Sequence, residues 1–358
     1  MRSALLWMAR NERLAETIPN MRFAKRAVRR FMPGERVEDA FAAAERLRDE
    51  RVRVLFTRLG ENITSLAEAE EVAEHYRAVM ARDAERKHVV GPVEISVKPT
   101  QLGLEQDPAE CLRICKRLAD DAAELGNTWL WIDMEGSEYT DRTLDLVEAL
   151  AAEHDNVGIA IQSYLRRSAA DVARLLPLTP AIRLVKGAYD EPAGIAYRDA
   201  AEVDANFLGL ALMVAEAAAA GNARLALGTH DVELIGQIRT LTEALGVPRE
   251  VLEVHMLYGV REQELRRLRD AGHPAYSLVA YGSAWYRWYM RRLAERPANV
   301  VFALRQLEGT LVFPVRTAGS LLVAIAAAVI FFRERLTSRF FIAAPLATAA
   351  LVLMNIEA

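Results

Sequence analysis

The sequence predicts a closed (β/α)8 barrel of the α/β class. Three observations carry that prediction. Eight short runs rich in β-branched and aromatic residues alternate with longer stretches of helical composition. The eight units extend over about 245 residues, the usual size of such a barrel. Neither GxGxxG nor GxxxxGK[ST] occurs, so the phosphate-binding fingerprints of open parallel sheets are missing.

Residues 1–50 precede the first run and read as helical, a flank or floor for the barrel. The runs follow in order: VRVLFT (52–57), VEISVK (93–98), TWLWID (128–133), VGIAIQ (157–162), IRLVK (182–186), RLALGT (224–229), VLEVHML (251–257) and AYSLVAY (275–281). Most read as nearly continuous apolar runs, the pattern of strands covered on both faces. The helical stretches include 65–85, 107–125 and 200–221. Asp107 before Pro108 is a helix entry, and Gly126 and Gly221 stand at helix exits. The expected division is a helical segment at 1–50, a catalytic barrel at 51–308 and a hydrophobic tail at 309–358.

Composition bounds the function. The 358 residues are 52% hydrophobic and 26% charged, enough to bury a large core. The net charge of -4 points to neither nucleic acid nor a broadly acidic partner. The basic residues Lys25, Arg26, Arg29 and Arg30 read as a solvated helix face. Cys111 and Cys115 are the two cysteines, one helical turn apart. They read as small apolar fillers, with no metal site and no disulfide framework, as in a reducing compartment. The N-terminus shows no secretory signal. Residues 317–332 and 340–356 carry no charge and flank RERLTSR. Each is near the lower limit of a membrane span. Arg333, Arg335 and Arg339 in the connecting loop suit a hairpin dipping into one leaflet better than one that crosses.

Polar residues recur at the C-terminal ends of the strand runs, where barrel chemistry sits. Lys98 ends the second run, Asp133 the third and Gln162 the fourth. Arg183 and Lys186 lie on the fifth, and Thr229 and His230 close the sixth. Charge at the mouth of an apolar barrel demands a ligand or a partner. Gln162 offers donor and acceptor together, as the edge of a heteroaromatic ring requires. Arg291 and Arg292 follow the last run on a helix and suit forked recognition of a carboxylate.

Around these positions stand LGENIT (59–64), ISVKPTQLGL (95–104), IDMEGSEYTDRTL (132–144), IAIQSYLRRS (159–168), RLVKGAY (183–189), LGTHD (227–231), MLYGVRE (256–262) and YGSAWYRWYMRRLAERPAN (281–299). In order and spacing, over about residues 35–305, they resemble the short monofunctional bacterial members of the proline dehydrogenase family. The resemblance implies FAD-dependent oxidation of L-proline to 1-pyrroline-5-carboxylate. Hydride passes to flavin N5, and the electrons then go to membrane quinone. It implies that Arg291, Arg292 and Lys98 clamp the substrate carboxylate, with Asp133 supporting that clamp. Tyr189 and Leu257 would wall the ring pocket. Glu61 would pair with Arg291 to gate it. Gln162, Arg183 and Lys186 would contact the flavin, and Thr229 and His230 the rest of FAD. The enzyme would be cytoplasmic and membrane-associated.

The sequence departs from the family at Leu278, where a tyrosine is usual. Tyr276, two residues earlier on the same strand face, is the expected replacement ring. Pro99 and His255 stand where leucine and glutamine are frequent. Leu278 keeps open a related flavin enzyme for hydroxyproline or another secondary amino acid. A Schiff-base aldolase using Lys98 or Lys186 and a non-catalytic membrane-attached barrel are the remaining alternatives.

Overall fold

A computed structural model describes residues 5, 7–9, 11–60, 63–85 and 90–295. The hydrophobic tail and Glu61 therefore lie outside the described residues. The chain divides into two compact units, one of residues 29–291 and one of 1–28 with 292–358. In the smaller unit the described helices include α1 (Glu12–Thr17) and α2 (Arg22–Val28).

The larger unit begins with α3 (Val37–Asp49) and then alternates strand and helix. The strands are β1 (Arg53–Arg58), β2 (Glu94–Val97), β3 (Leu130–Ile132), β4 (Val157–Gln162), β5 (Ala181–Val185), β6 (Arg224–Gly228), β7 (Leu252–Leu257) and β8 (Ala275–Tyr281). Between them lie α4 (Leu66–Ala84), α5 (Pro108–Gly126), α6 (Thr140–Ala151), α7 (Ser168–Leu175), α8 (Ala200–Ala219), α9 (Val232–Ala244) and α10 (Glu262–Asp270). The helix α11 (Trp285–Glu295) follows β8. All eight strands are parallel and close in sequence order. The seam is β1 against β8, from Arg53 opposite Tyr276 to Arg58 opposite Tyr281.

Local chemistry sets the helix ends. The Asp107 carboxylate accepts from the N–H groups of Ala109 and Glu110, and Pro108 supplies a ready helical φ. Ser65, Asp199 and Asp231 cap α4, α8 and α9 in the same way. The exit of α5 differs from expectation: Gly126 is its last residue, and Asn127 takes the left-handed conformation. Asparagine tolerates that region nearly as well as glycine. On α5, Cys111, Ile114, Cys115, Leu118 and Ala122 form one buried stripe. Both cysteines are free and buried, so they pack as small apolar groups.

The strands are not uniformly apolar. On β2, Ile95 and Val97 face the main core shared with the helices, whereas Glu94 and Ser96 alternate with them. A small apolar cluster of Leu55, Trp131, Ala181, Ala226 and Tyr276, with Leu278 packed on it, lies apart from that outer core. Many other interior positions are polar, and much of the cost of burying them is met by pairing.

At the N-terminal end of the barrel, Arg224 donates to both Glu253 oxygens (2.9 and 2.8 Å), to Glu94 (2.8 Å) and to the Tyr276 hydroxyl (2.9 Å). Arg53 donates to the same hydroxyl (2.8 Å). Trp131 Nε1 donates to the other Glu94 oxygen (2.6 Å). Tyr276 thus belongs to the barrel floor, and the expectation that its ring replaces the missing pocket tyrosine does not hold. A side chain two residues before Leu278 shares its face but sits one interior layer lower.

His255 stacks on Tyr276 with ring centroids 4.4 Å apart and shares a 3.2 Å hydrogen bond with Glu253. Burial, helped by the charges of Arg183 and Arg224, lowers its pKa from 6.5 to about 4 against the opposing pull of Glu253. The unfolded chain therefore takes up a proton near pH 6.5, while the folded protein refuses it until about pH 4. Stability contributed by neutral His255 is complete above pH 6.5 and is lost as pH falls toward 4. By pH 5 the loss is on the order of 2 kcal/mol. Urea denaturation at pH 7 and pH 5 is expected to show this acid sensitivity, and His255→Gln, which keeps a donor toward Glu253, is expected to flatten it.

Candidate active site

Two cavities of nearly equal size open in the larger unit, about 200 Å³ and about 210 Å³. The first is lined by Arg53, Glu94, Arg224, Glu253 and Tyr276, the floor network, whose charges already pair with one another. The second is lined by Leu59, Gly60, Lys98, Arg287, Trp288 and Arg291, beyond the C-terminal ends of β1 and β2 and on α11. Barrel chemistry belongs at that end, so the second cavity is the candidate site.

Lys98 and Arg291 reach one cavity from opposite ends of the barrel sequence. Lys98 is 7% exposed, and its side chain makes no hydrogen bond or ion pair among the described residues. Its side chain lines the cavity, where a ligand or water can meet the charge. Arg291 lies over the Tyr189 ring, 5.2 Å from guanidinium carbon to centroid. That contact fixes the guanidinium plane and sets Tyr189 beside the cavity. Arg292 is the next residue of α11, about 100° around the helix. Leu257 ends β7 and is half-buried.

The second group of predicted residues forms a polar layer just below the mouth. Ser96 Oγ donates to Asp133 Oδ1 (2.8 Å), and Arg183 donates to Ser96 Oγ (2.9 Å) and to the same carboxylate oxygen. Asp133 is therefore the counter-ion of Arg183. Its expected support of the Lys98 and Arg291 clamp is not among its contacts. Asp133 and Arg183 both turn to the Ser96 hydroxyl, two residues before Lys98 on the same strand. Burial pushes Arg183 below the usual guanidinium range, and the Asp133 charge opposes that shift. Trp131 lies against Arg183, its ring centroid 5.1 Å from the guanidinium carbon.

Gln162 Nε2 donates to the carbonyls of Met134 (3.2 Å) and Glu135 (3.1 Å). The Glu135 carboxylate in turn accepts from the Thr100 N–H (2.9 Å) and hydroxyl (2.8 Å). The segment after β3 thereby ties the turn bearing Lys98 to β4. Lys186 is held between Asp204 (2.5 Å) and Asp231 (2.7 Å). The Thr229 hydroxyl accepts from the Asp231 N–H (3.2 Å), and His230 Nε2 accepts from the Leu257 N–H (2.9 Å), which leaves the His230 proton on Nδ1.

Two buried atoms in this layer have no hydrogen-bond partner among the described residues: Gln162 Oε1, an acceptor, and Arg183 Nη1, a donor. Their strands, β4 and β5, are neighbours. On β6, a Cβ at Gly228 would meet the Leu184 carbonyl at 2.8 Å and Arg183 Cγ at 3.2 Å. The glycine thus lets β6 pack closely on β5, and the unmet acceptor and donor on neighbouring strands suit the edge of a flat heterocycle that carries both donors and acceptors.

Sequence reasoning missed Ser96, Trp131, Glu135 and Arg287. Ser96 and Trp131 each stand two residues before a singled-out strand-end residue, so strand periodicity was the available signal. Arg287 stands four before Arg291, where helical spacing was the signal.

Comparison with known proteins places this geometry. The family model described as proline dehydrogenase matches residues 40–305. Proline dehydrogenase 1 of Bacillus subtilis is 32% identical over 310 residues, covering 85% of this chain and 98% of that protein. Proline dehydrogenase of Deinococcus radiodurans is 34% identical over 282 residues, covering 77% of this chain and 88% of that protein. Among solved structures, proline utilization A from Bdellovibrio bacteriovorus inactivated by N-propargylglycine superposes with a TM-score of 0.70 at 23% identity. It shares the fold over 81% of this chain, which spans 38% of that longer protein. With its family model matched across the whole barrel and two relatives above 30% identity, the chain belongs to the proline dehydrogenase family.

Proposed function

We propose that the chain oxidises L-proline to 1-pyrroline-5-carboxylate with FAD as hydride acceptor. The observation that carries this is the joining of Lys98 and Arg291 in one cavity at the barrel mouth, beside the Arg183 and Gln162 layer. Lys98 and Arg291 hold the substrate carboxylate through charge-assisted hydrogen bonds, with Arg292 assisting. Tyr189 and Leu257 wall the ring. Fixing the carboxylate fixes the carbon that gives up hydride, which is most of what the protein must do.

The residues at hand fit a flavin. Gln162 Oε1 would accept from its ring edge and Arg183 Nη1 would donate to it, with Asp133 holding the Arg183 guanidinium in place. Lys186, Thr229 and His230 hold the rest of FAD. When bound, the flavin supplies the hydride acceptor. The ring-nitrogen proton leaves to water, since no lining residue of the cavity among those described is a base.

Quinone is the proposed final electron acceptor. The hydrophobic tail at 309–358 is the proposed membrane contact, with the barrel at 51–308 on the cytoplasmic side and the segment 1–50 as a helical leader to it. Among the described residues no helix is long and apolar enough to cross a membrane.

Lys98→Met and Arg291→Met test the assignment. Each removes a charged hydrogen bond worth about 1.5–3 kcal/mol. A rise of about ten- to a hundredfold in KM for L-proline is expected. Unchanged kinetics in both variants would remove the cavity from the reaction. A second reading, oxidation of hydroxyproline or another secondary amino acid, is favoured by Leu278, the one partly exposed residue of β8. A substrate panel run on one preparation, with flavin bleaching as the readout, separates the two.

A further inference from the structure

The candidate cavity holds more positive charge than one carboxylate requires. Lys98, Arg287 and Arg291 all line it, and no described lining residue is acidic. Arg287 is half-buried and makes no hydrogen bond, ion pair or ring contact among the described residues. It is therefore not a surface arginine committed to a neighbour, as Arg174 is to Glu148 and Asp145. It stands one turn before Arg291 on α11, so both side chains lie on one helix face, about 6 Å apart along the axis. Long arginine side chains rooted one turn apart can reach the two ends of a small dicarboxylate.

We infer that Arg287 is a second anion-binding group in the substrate cavity, and that the cavity takes small dicarboxylates as competitive ligands. One carboxylate takes the place of the substrate carboxylate at Lys98 and Arg291, and the other is held by Arg287. The inference deepens the proposed site and rests on reading it as a carboxylate cavity. Lys98 and the half-buried Arg287, which pair with no described carboxylate, favour a dianion over a monoanion of equal length, because the second charge is neutralised only by the dianion.

Succinate and butyrate are the probes, since they share chain length and differ by one carboxylate. Each is titrated calorimetrically into the full chain at pH 7 and is also tested as an inhibitor of L-proline oxidation. Succinate is expected to bind about tenfold more tightly than butyrate. Arg287→Gln is expected to bring the two within about twofold of each other, and Arg287→Lys to restore part of the difference. Equal binding of the two acids by the native protein overturns the inference. So does a succinate preference that survives Arg287→Gln. A loss in Arg287→Gln that affects both acids alike also overturns it, because that is the mark of general electrostatic attraction. The titration does not depend on turnover. A protein that prefers succinate through Arg287 but leaves L-proline unoxidised sinks the proposed reaction and upholds the ligand assignment.

Discussion

Asp133→Ala is expected to lower kcat/KM for L-proline by at least about a hundredfold. It is also expected to destabilise the fold by about 3 kcal/mol. Asp133 is the carboxylate paired with Arg183, which is 4% exposed. Without it a guanidinium stays buried with only the Ser96 hydroxyl as acceptor. The two readouts separate the roles. Denaturant midpoints report the stranded charge, and steady-state kinetics report the loss of the aimed Nη1 donor. Asp133→Asn keeps the shape and an oxygen acceptor, so it is expected to recover much of the stability and little of the rate. Wild-type kinetics in Asp133→Asn would show that Arg183 needs no charged partner and would remove it from the chemistry.

The second large effect lies at the other end of the barrel. Arg224→Met is expected to cost about 3–5 kcal/mol, because it leaves Glu94 and Glu253 buried beside each other with no shared cation. Glu253 feels the pull directly: burial alone raises its pKa, yet the His255 hydrogen bond and the Arg224 guanidinium bring it down to about 2. Burial pushes Glu94 the other way, upward. The folded fraction of Arg224→Met is expected to keep most of its turnover, since the network lines the floor and not the mouth. A thermal midpoint within a degree or two of wild type would mean that the floor charges are already satisfied without Arg224. Replacing the set by matched apolar residues is a different experiment, and often a neutral one.

The barrel was legible because each run from 52–57 to 275–281 kept its apolar residues, and those residues make the outer core. The period-2 signal beneath them was the part not read. Glu94, Ser96 and Lys98 alternate with Ile95 and Val97, and that alternation already says that the inside of this barrel is polar. Lys98, Gln162 and Arg183 were legible for a simpler reason, since a polar residue closing an apolar strand has few places to go. Asp133 was found by the same rule, but its partner was not, because Ser96 lies on another strand and pairing across strands is set by register. Tyr276 shows the limit of the face argument. Periodicity gives the side of a strand and not the layer, and one layer separates the floor from the pocket. Arg287 was hidden beside the more familiar Arg291–Arg292 pair.

The β1–β8 seam has a consequence for how the protein comes into being. Arg53 and Tyr276 meet across 223 residues of chain, so during synthesis β1 and β7 remain open edges until β8 has emerged. Such edges are the segments most prone to pair with other chains. The candidate cavity is subject to the same delay, because Lys98 is made early and Arg291 after the last strand. No partial barrel carries both. A nascent chain therefore carries the aggregation hazard before it can grip a substrate: the edges close once β8 has been made, and the grip is complete only when the following helix supplies Arg291.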